Sequence, residues 1–489
     1  MESTGARLLG WWTRDAWLDS HSGFAVTWFQ VLACDYDGTL ATAGKVAHAT
    51  ARAIERVRAS GRRVVLVTGR RFDDLLEVCP EIDLFDLVVA ENGGVLFAPG
   101  TGEIENLAGP PSPLLLARLE ARGVPFSVGR VIIATVEPHG QEVSDAIREL
   151  GLELDVVMNR EAAMVLPRGV SKESGLERAL GRLGISAHNT IAVGDAENDA
   201  ELLRRAGLAV AVANAVPALA SQADIVTSAA DGAGVRELIE DTILGDFEPL
   251  RRRLLRRTIL LGQRSDGLPF DYPVLGPPLL VTGTGPETTV VLVERLLEQL
   301  LGGGYVVWLL GARVDDQPGI AERLGIRTLR DAAPRRLAEL AIGRPSSLAL
   351  DVAGLARRER LRVCRRFLRV VARQRADSGA PHWVVIDAAE QLFSSRPEWS
   401  DLIRDFDWTG VCLVSSRPAL LAPELRRAAR HVLSTSLESI VEETGLVARE
   451  EVPDPGLESG EALSVALDLA PGRRVVRFRI APAATRPRL

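Results

Sequence analysis

From Val31 to about Val95, short runs of Val, Leu and Ile alternate with stretches of helical periodicity, and each run stops at a turn. The pattern predicts strand 31–35, a helix near 46–59, strand 63–67, a helix near 71–79 and strand 86–90. Alternation at this spacing restricts a chain to a parallel sheet with right-handed crossover helices. The runs lack polar alternation, as expected for strands covered on both faces. The pattern resumes near Ser171 with a helix at 172–183 and strands at 190–193, 208–212 and 224–227. Residues 31–95 and 169–244 thus read as one α/β, Rossmann-like core. Residues 96–168 form an insertion, with a helix near 112–122, strand 131–136, helix 140–150 and strands near 153–158 and 162–166.

The first run, Val31–Cys34, ends in D-Y-D-G-T-L, so Asp35 and Asp37 sit beyond the carboxyl end of a strand and point the same way. Open α/β sheets place their ligands there. A carboxylate pair at such a spot can hold a divalent cation and leave one oxygen free for attack. The second strand ends in Thr68-Gly69-Arg70, and strand 190–193 runs into G-D-A-E-N-D, which supplies Asp195, Asn198 and Asp199. Between them lies Lys172, in G-V-S-K-E-S-G-L. The chain uses Arg for nearly all its cations and has only two lysines, Lys45 and Lys172. An ammonium is a compact point charge and a guanidinium a wide planar fork, so a Lys kept at 172 marks a site that needs the point charge. Taken alone, Asp195 and Asp199 also suit the start of a helix.

Four motifs in this order, at strand ends, resemble the haloacid dehalogenase superfamily of phosphohydrolases over roughly residues 31–244. The placement and mixed make-up of the 96–168 insertion, as a cap, is similar to class IIB, the sugar-phosphatase-like branch, although this cap is short for that branch. The turn Glu91-Asn92-Gly93-Gly94 and the pair Asn214-Ala215 also look like it. The resemblance implies that Asp35 is the nucleophile forming an aspartyl-phosphate and that Asp37 is the acid/base. It implies that Thr68, Gly69 and Lys172 hold the phosphoryl group, that Asp35 and Asp195 bind Mg²⁺ with Asp199 completing or orienting that shell, and that the backbone carbonyl of Asp37 is a further ligand. Asn198 would orient Lys172 or an acid, while Asn92, Gly93 and Asn214 would face the substrate, a small phosphorylated metabolite such as a sugar phosphate or a phosphoglycolate-like acid. The chemistry is coherent on physical grounds, because a carboxylate can attack a phosphomonoester dianion only if cations screen the repulsion.

Composition narrows the alternatives. At 489 residues the chain has room for two to four domains. A net charge of -7 argues against bulk nucleic-acid affinity. Cys34, Cys79, Cys364 and Cys412 are scattered without CxxC spacing, which suits buried thiols in a reducing, cytoplasmic setting. No apolar run reaches the ~18 residues of a membrane helix. Residues 1–30, rich in Trp, lack a basic start followed by an apolar core and read as an extension with no catalytic role.

The back half reads as a linker with an Arg-rich helix, 245–277, followed by a second α/β domain, 278–489. There, strand 279–281 leads into Gly283-Thr284-Gly285-Pro286-Glu287-Thr288-Thr289 and a helix, and strand 383–386 ends at Asp387. This order resembles P-loop ATPases of the DNA-translocase type. The loop is too short for G-x-x-x-x-G-K-[ST], and no Lys exists after Lys172. Pro286 removes an N–H donor, and Ala388 stands where such ATPases carry Glu. The expectation is therefore a degenerate domain in which Gly283, Gly285, Thr288, Thr289 and Asp387 form at most a vestigial nucleotide site. Two readings remain beside the phosphatase: a regulatory or scaffold protein whose inactive P-loop half binds nucleotide or a partner, and a nucleic-acid end phosphatase. The second would use Arg251–Arg257 and the Arg-rich helix around 356–375. Leu361, Cys364, Leu368 and Val371 line one face of that helix, which makes its arginines mostly the solvated side.

Overall fold

The computed structural model describes residues 28–159, 162–245, 257–276, 278–283, 286–311, 320–330, 345–394, 403, 406–444, 457–458, 460–467 and 475–481. The chain divides into two compact units, and residues 28–247 form one of them.

In that unit the strands are β1 (Val31–Cys34), β2 (Ala41–Thr42), β3 (Lys45–Val46), β4 (Arg63–Val67), β5 (Leu87–Ala90), β6 (Val95–Ala98), β7 (Glu103–Asn106), β8 (Ser127–Val128), β9 (Ile133–Val136), β10 (Leu154–Asn159), β11 (Ala162–Pro167), β12 (Thr190–Gly194), β13 (Leu208–Ala211) and β14 (Ile225–Val226). The core sheet runs β14-β13-β12-β1-β4-β5-β6-β7, parallel from β14 through β5. β1 is central, so β12 and β4, the strands that carry the other site loops, flank it directly. Its residues are all buried, as the unbroken apolar run requires. Helices α1 (His48–Ala59), α2 (Phe72–Val78) and α3 (Pro113–Ala121) follow β3, β4 and β7, and α4 (Gly140–Glu149) and α5 (Lys172–Leu183) follow β9 and β11.

The sheet corrects one boundary. Residues 96–106, expected in the insertion, instead form β6 and the hairpin partner β7, antiparallel to the core edge. β7 is largely exposed and carries Glu103, Glu105 and Asn106, so it has no apolar run by which to announce itself. The rest of the insertion, the expected cap, is a separate four-stranded sheet, β10-β11-β9-β8, covered by α3 and α4 around Leu115, Leu119, Val143 and Ile147.

The second unit holds β15 (Thr258–Arg264), β16 (Pro269–Pro273), β17 (Leu279–Thr282), β18 (Val307–Gly311), β19 (Arg327–Leu329), β20 (Leu348–Asp351), β21 (Trp383–Ile386), β22 (Val411–Ser415), β23 (His431–Ser434), β24 (Glu461–Ala466) and β25 (Val475–Ile480). They form one mixed sheet, β16-β15-β25-β24-β23-β17-β22-β21-β18-β20-β19, parallel from β23 to β19. β15 and β16 occupy residues expected in a linker; they pair with each other as a hairpin, and β25, from the far end of the chain, joins β15 to the rest of the sheet. The Arg cluster at 251–256 lies outside the described residues. In the helix Arg357–Ser378, Val363, Cys364, Phe367, Leu368 and Val371 are buried.

Candidate active site

Each site residue is delivered by a strand end. β1 runs into Asp35, whose N–H donates to the Val193 carbonyl of β12 (3.0 Å). β4 runs into Thr68, buried, and β12 ends at Gly194 before Asp195. Lys172 is the first residue of α5, capped by a reciprocal pair: the Ser171 hydroxyl accepts from the Ser174 N–H, and the Ser171 N–H donates to the Ser174 hydroxyl. Gly93 lets that helix approach. A Cβ there would lie 2.0 Å from the Ser171 carbonyl oxygen, and its φ of +106° also favours glycine.

The Lys172 ammonium donates to Asp35 Oδ1 at 2.6 Å and to Asp199 Oδ1 at 2.7 Å, with all three side chains buried. A helix N-terminus disfavours a cation, so this placement holds only because two carboxylates meet it. Burial disfavours the ammonium too, but Asp199 and Asp35 outweigh it and raise the Lys172 pKa. Asp199 Oδ2 accepts the N–H groups of Asp195 and Ala196, at 3.0 and 3.1 Å, and so pins the turn that carries Asp195. Thr39 donates its hydroxyl to Asp195 Oδ1 at 3.0 Å.

Asp35, Asp195 and Asp199 each place an oxygen within 4.8 Å of the others. Three buried carboxyl groups crowd together beside one ammonium. Burial pushes the Asp35 carboxyl up to about 8, against the pull of Lys172. A hard divalent cation matches this oxygen set. The carboxylate of Asp37 is not part of the group. It is gripped by Arg70, from Nε at 2.5 Å and Nη2 at 2.7 Å, and the guanidinium also lies over the Tyr36 ring.

Other expected residues fall into two groups. Asn92 is buried against the site: its N–H donates to the Thr68 carbonyl and its Oδ1 accepts from Asn198 Nδ2 at 3.4 Å. Asn214 is not brought to the acids. Its amide donates to the Gly38 carbonyl and Asp231, and it accepts from the Asp231 N–H. Of the cap arginines, Arg122 pairs with Glu149 and Arg130 lies over the Phe72 ring, while Arg160 is outside the described residues.

Glu91 was not foreseen. Its carboxylate is buried and accepts four backbone N–H groups: Phe72 of the core (3.2 Å), and Arg130, Val131 and Ile132 (3.0, 2.8 and 3.2 Å) of the cap loop between β8 and β9. The sequence signal was present in the E-N-G-G turn, but nothing local connects position 91 to 130–132.

In the second unit, Gly283 follows β17 and Asp387 follows β21, with β22 between those strands. Thr289 is buried; Gly285 and the side chain of Thr288 lie outside the described residues.

A family model described as haloacid dehalogenase-like hydrolase matches residues 32–106 and 131–239. A phosphoglycolate phosphatase of Natronomonas pharaonis is 32% identical over 219 residues, covering 43% of this chain and 96% of that protein. One from Methanothermobacter thermautotrophicus is 35% identical over 219 residues, covering 43% of this chain and 97% of that protein. Among solved structures, a haloacid dehalogenase-like hydrolase from Bacteroides thetaiotaomicron aligns with 43% of this chain and 98% of its own, at 20% identity and a TM-score of 0.40.

Proposed function

The chain belongs, through its first unit, to the haloacid dehalogenase-like hydrolases and is a phosphatase acting on a small phosphate ester; from that premise we propose a Mg²⁺-dependent phosphomonoesterase of the class IIB type, working through Asp35. The observation that carries the reading is the buried cluster of Lys172 between Asp35 and Asp199, with Asp195 beside it.

In this reading Asp35, Asp195 and Asp199 hold or orient the Mg²⁺, which when bound neutralises charge on the phosphoryl oxygens. Asp35 Oδ attacks phosphorus, forming the new O–P bond as the ester P–O bond breaks. Asp37 gives its proton to the leaving alkoxide. It then takes a proton from water, which attacks the aspartyl-phosphate and releases phosphate and free Asp35. Thr68, the N–H of Gly69 and Lys172 hold the phosphoryl oxygens, where charge spreads in the transition state. Asn198 and Asn92 together shape the leaving-group side. The substrate class proposed is a phosphoglycolate-like acid or a sugar phosphate, and the relatives named above support the first. Four buried free cysteines support a reducing, cytoplasmic setting. Among the described residues no helix is long and apolar enough to cross a membrane.

For the second unit we propose a degenerate P-loop-like domain with little or no ATPase activity. The order of its parallel strands, with Gly283 and Asp387 at carboxyl ends on either side of β22, supports that reading. So does the lack of any Lys beyond 172. Asp387-dependent ATP turnover by the full chain would sink it.

The test of the phosphatase reading is hydrolysis of a panel of phosphomonoesters with and without Mg²⁺, comparing the intact protein with Asp35→Asn. Activity that needs Mg²⁺ and disappears in the variant is expected. A folded, Mg²⁺-supplied protein that hydrolyses no ester defeats the reading.

A further inference from the structure

We infer that Met164 is a specificity-determining residue: its thioether closes the leaving-group side of the Asp35 site and limits the enzyme to esters of short alcohols such as glycolate or glycerol. The inference rests on the phosphatase reading and deepens it.

One place where the cap meets the core is the catalytic loop after β4. A Cβ added at Gly69, next to Thr68, would lie 3.2 Å from Met164 Sδ, 3.4 Å from its Cε and 3.7 Å from Asn198 Nδ2. Met164 therefore already stands at van der Waals distance from the loop expected to bind the phosphoryl group. It is 4% exposed and sits in the middle of the cap sheet, across from Val157 of β10 and Ala134 of β9. Ile132, Leu166 and Val157 pack with it, so the wall on the cap side is apolar.

The core side of the same space is polar. Asn198 donates to Asn92, and its own Oδ1 is buried with no hydrogen-bond partner. A buried acceptor of this kind is normally satisfied, and a hydroxyl or an ordered water carried in with a small ester would do so. One apolar wall and one amide wall suit a short polar alcohol.

The roof is also fixed. Glu91 holds three successive N–H groups of the cap loop 130–132, and Arg71 Nη1 donates to the Val128 carbonyl at 3.1 Å. With the cap tied to the core there, pocket size is set by the side chain that projects into it. Methionine suits that place, being long, unbranched and easily refitted around a small ligand.

The experiment compares wild type with Met164→Ala, Met164→Val and the volume-conserving Met164→Leu, all as full chains with Mg²⁺. The readouts are kcat/KM for phosphoglycolate, glycerol phosphate and glucose 6-phosphate, and inhibition by inorganic phosphate. Met164→Ala should raise the glucose 6-phosphate to phosphoglycolate ratio about tenfold or more, chiefly through KM of the larger ester. Met164→Val should fall between, Met164→Leu should keep the wild-type ratio, and phosphate inhibition should stay within about twofold, since only the leaving-group side changes. Ratios in Val and Ala variants within about threefold of wild type overturn the inference while leaving the phosphatase standing. A wild type that hydrolyses none of the esters overturns both. If Met164→Ala fails to fold, the Val and Leu pair decides.

Discussion

Arg70 holds Asp37 through both carboxylate oxygens, at 2.5 and 2.7 Å, while Asp35, two residues earlier, is held by Lys172. The two acids of one strand end thus have separate cations, and the hydrogen bond to Asp37 raises the Arg70 pKa further. Arg70 is placed to orient the acid/base without touching the reacting atoms. Arg70→Gln should lower kcat about tenfold with KM nearly unchanged, since a misplaced general acid costs rate and not ground-state binding. Arg70→Lys should recover only part, because an ammonium cannot grip two oxygens in a plane. Steady-state kinetics would check this; a kcat that rises in Arg70→Gln would show that the guanidinium restrains Asp37 instead.

Lys172 is the neutralising charge of a buried acid cluster, so its loss is a stability matter as well as a kinetic one. Lys172→Met leaves Asp35 and Asp199 facing each other unpaired and should destabilise the metal-free protein by roughly 3–5 kcal/mol. Denaturant unfolding in EDTA measures this. A loss below about 1 kcal/mol would mean that the carboxylates simply take up a proton.

Mg²⁺ should raise the melting temperature of the wild type in a concentration-dependent way, worth about 2.7 kcal/mol at a hundredfold excess over Kd. Asp195→Asn should weaken the shift strongly, and Asp37→Asn should leave it nearly intact, because only Asp195 joins the buried acid group. Thermal melts with Mg²⁺ titration separate the two, and equal loss in both variants would place Asp37 in the metal site.

Glu91 satisfies four backbone donors at once, and Gly129 packs so closely that a Cβ there would lie 2.7 Å from its carboxylate. Glu91→Ala should cost about 3 kcal/mol or more, since each buried N–H left without an acceptor pays its desolvation. Amide exchange at 130–132 should accelerate with it. Unchanged exchange there would show that the cap loop holds its place by other contacts.

His431 gives the second unit a pH dependence. Its ring is buried, with Nε2 2.5 Å from the Ser464 hydroxyl and Tyr272 at its edge. Burial lowers its pKa from 6.5 to about 3. Between those values the unfolded chain binds a proton that the folded chain refuses. The stabilisation is therefore complete above about pH 6.5 and is lost toward pH 3, by up to about 1.4 kcal/mol per unit. Denaturant midpoints at pH 7 and pH 5 should differ in wild type and converge in His431→Gln; an equal acid loss in both would assign the effect elsewhere.

Much of this molecule was legible along the chain because its signals are local. An unbroken apolar run such as Val31–Cys34 dictates a doubly covered strand, and the residues closing each run are carried to the sheet's ligand edge whatever else the chain does. Asp35, Thr68 and Asp195 could therefore be placed at that edge from their position after strands, and the resemblance to the superfamily joined Lys172 to them. Pairings between distant segments depend on tertiary structure alone. Nothing near position 91 announces that its carboxylate meets the N–H groups of 130–132, nor near 70 that its guanidinium takes Asp37. β7 lacks an apolar run and becomes a strand only because β6 offers it a hydrogen-bonding edge, and β15 joins the sheet only through β25. Likewise the family resemblance marks the insertion as a cap, but only packing decides that Met164 is the side chain lying over Gly69. Periodicity is fixed by bonds a few residues apart, whereas the sheet edges, buried charge pairs and pocket walls exist only after the chain has closed on itself.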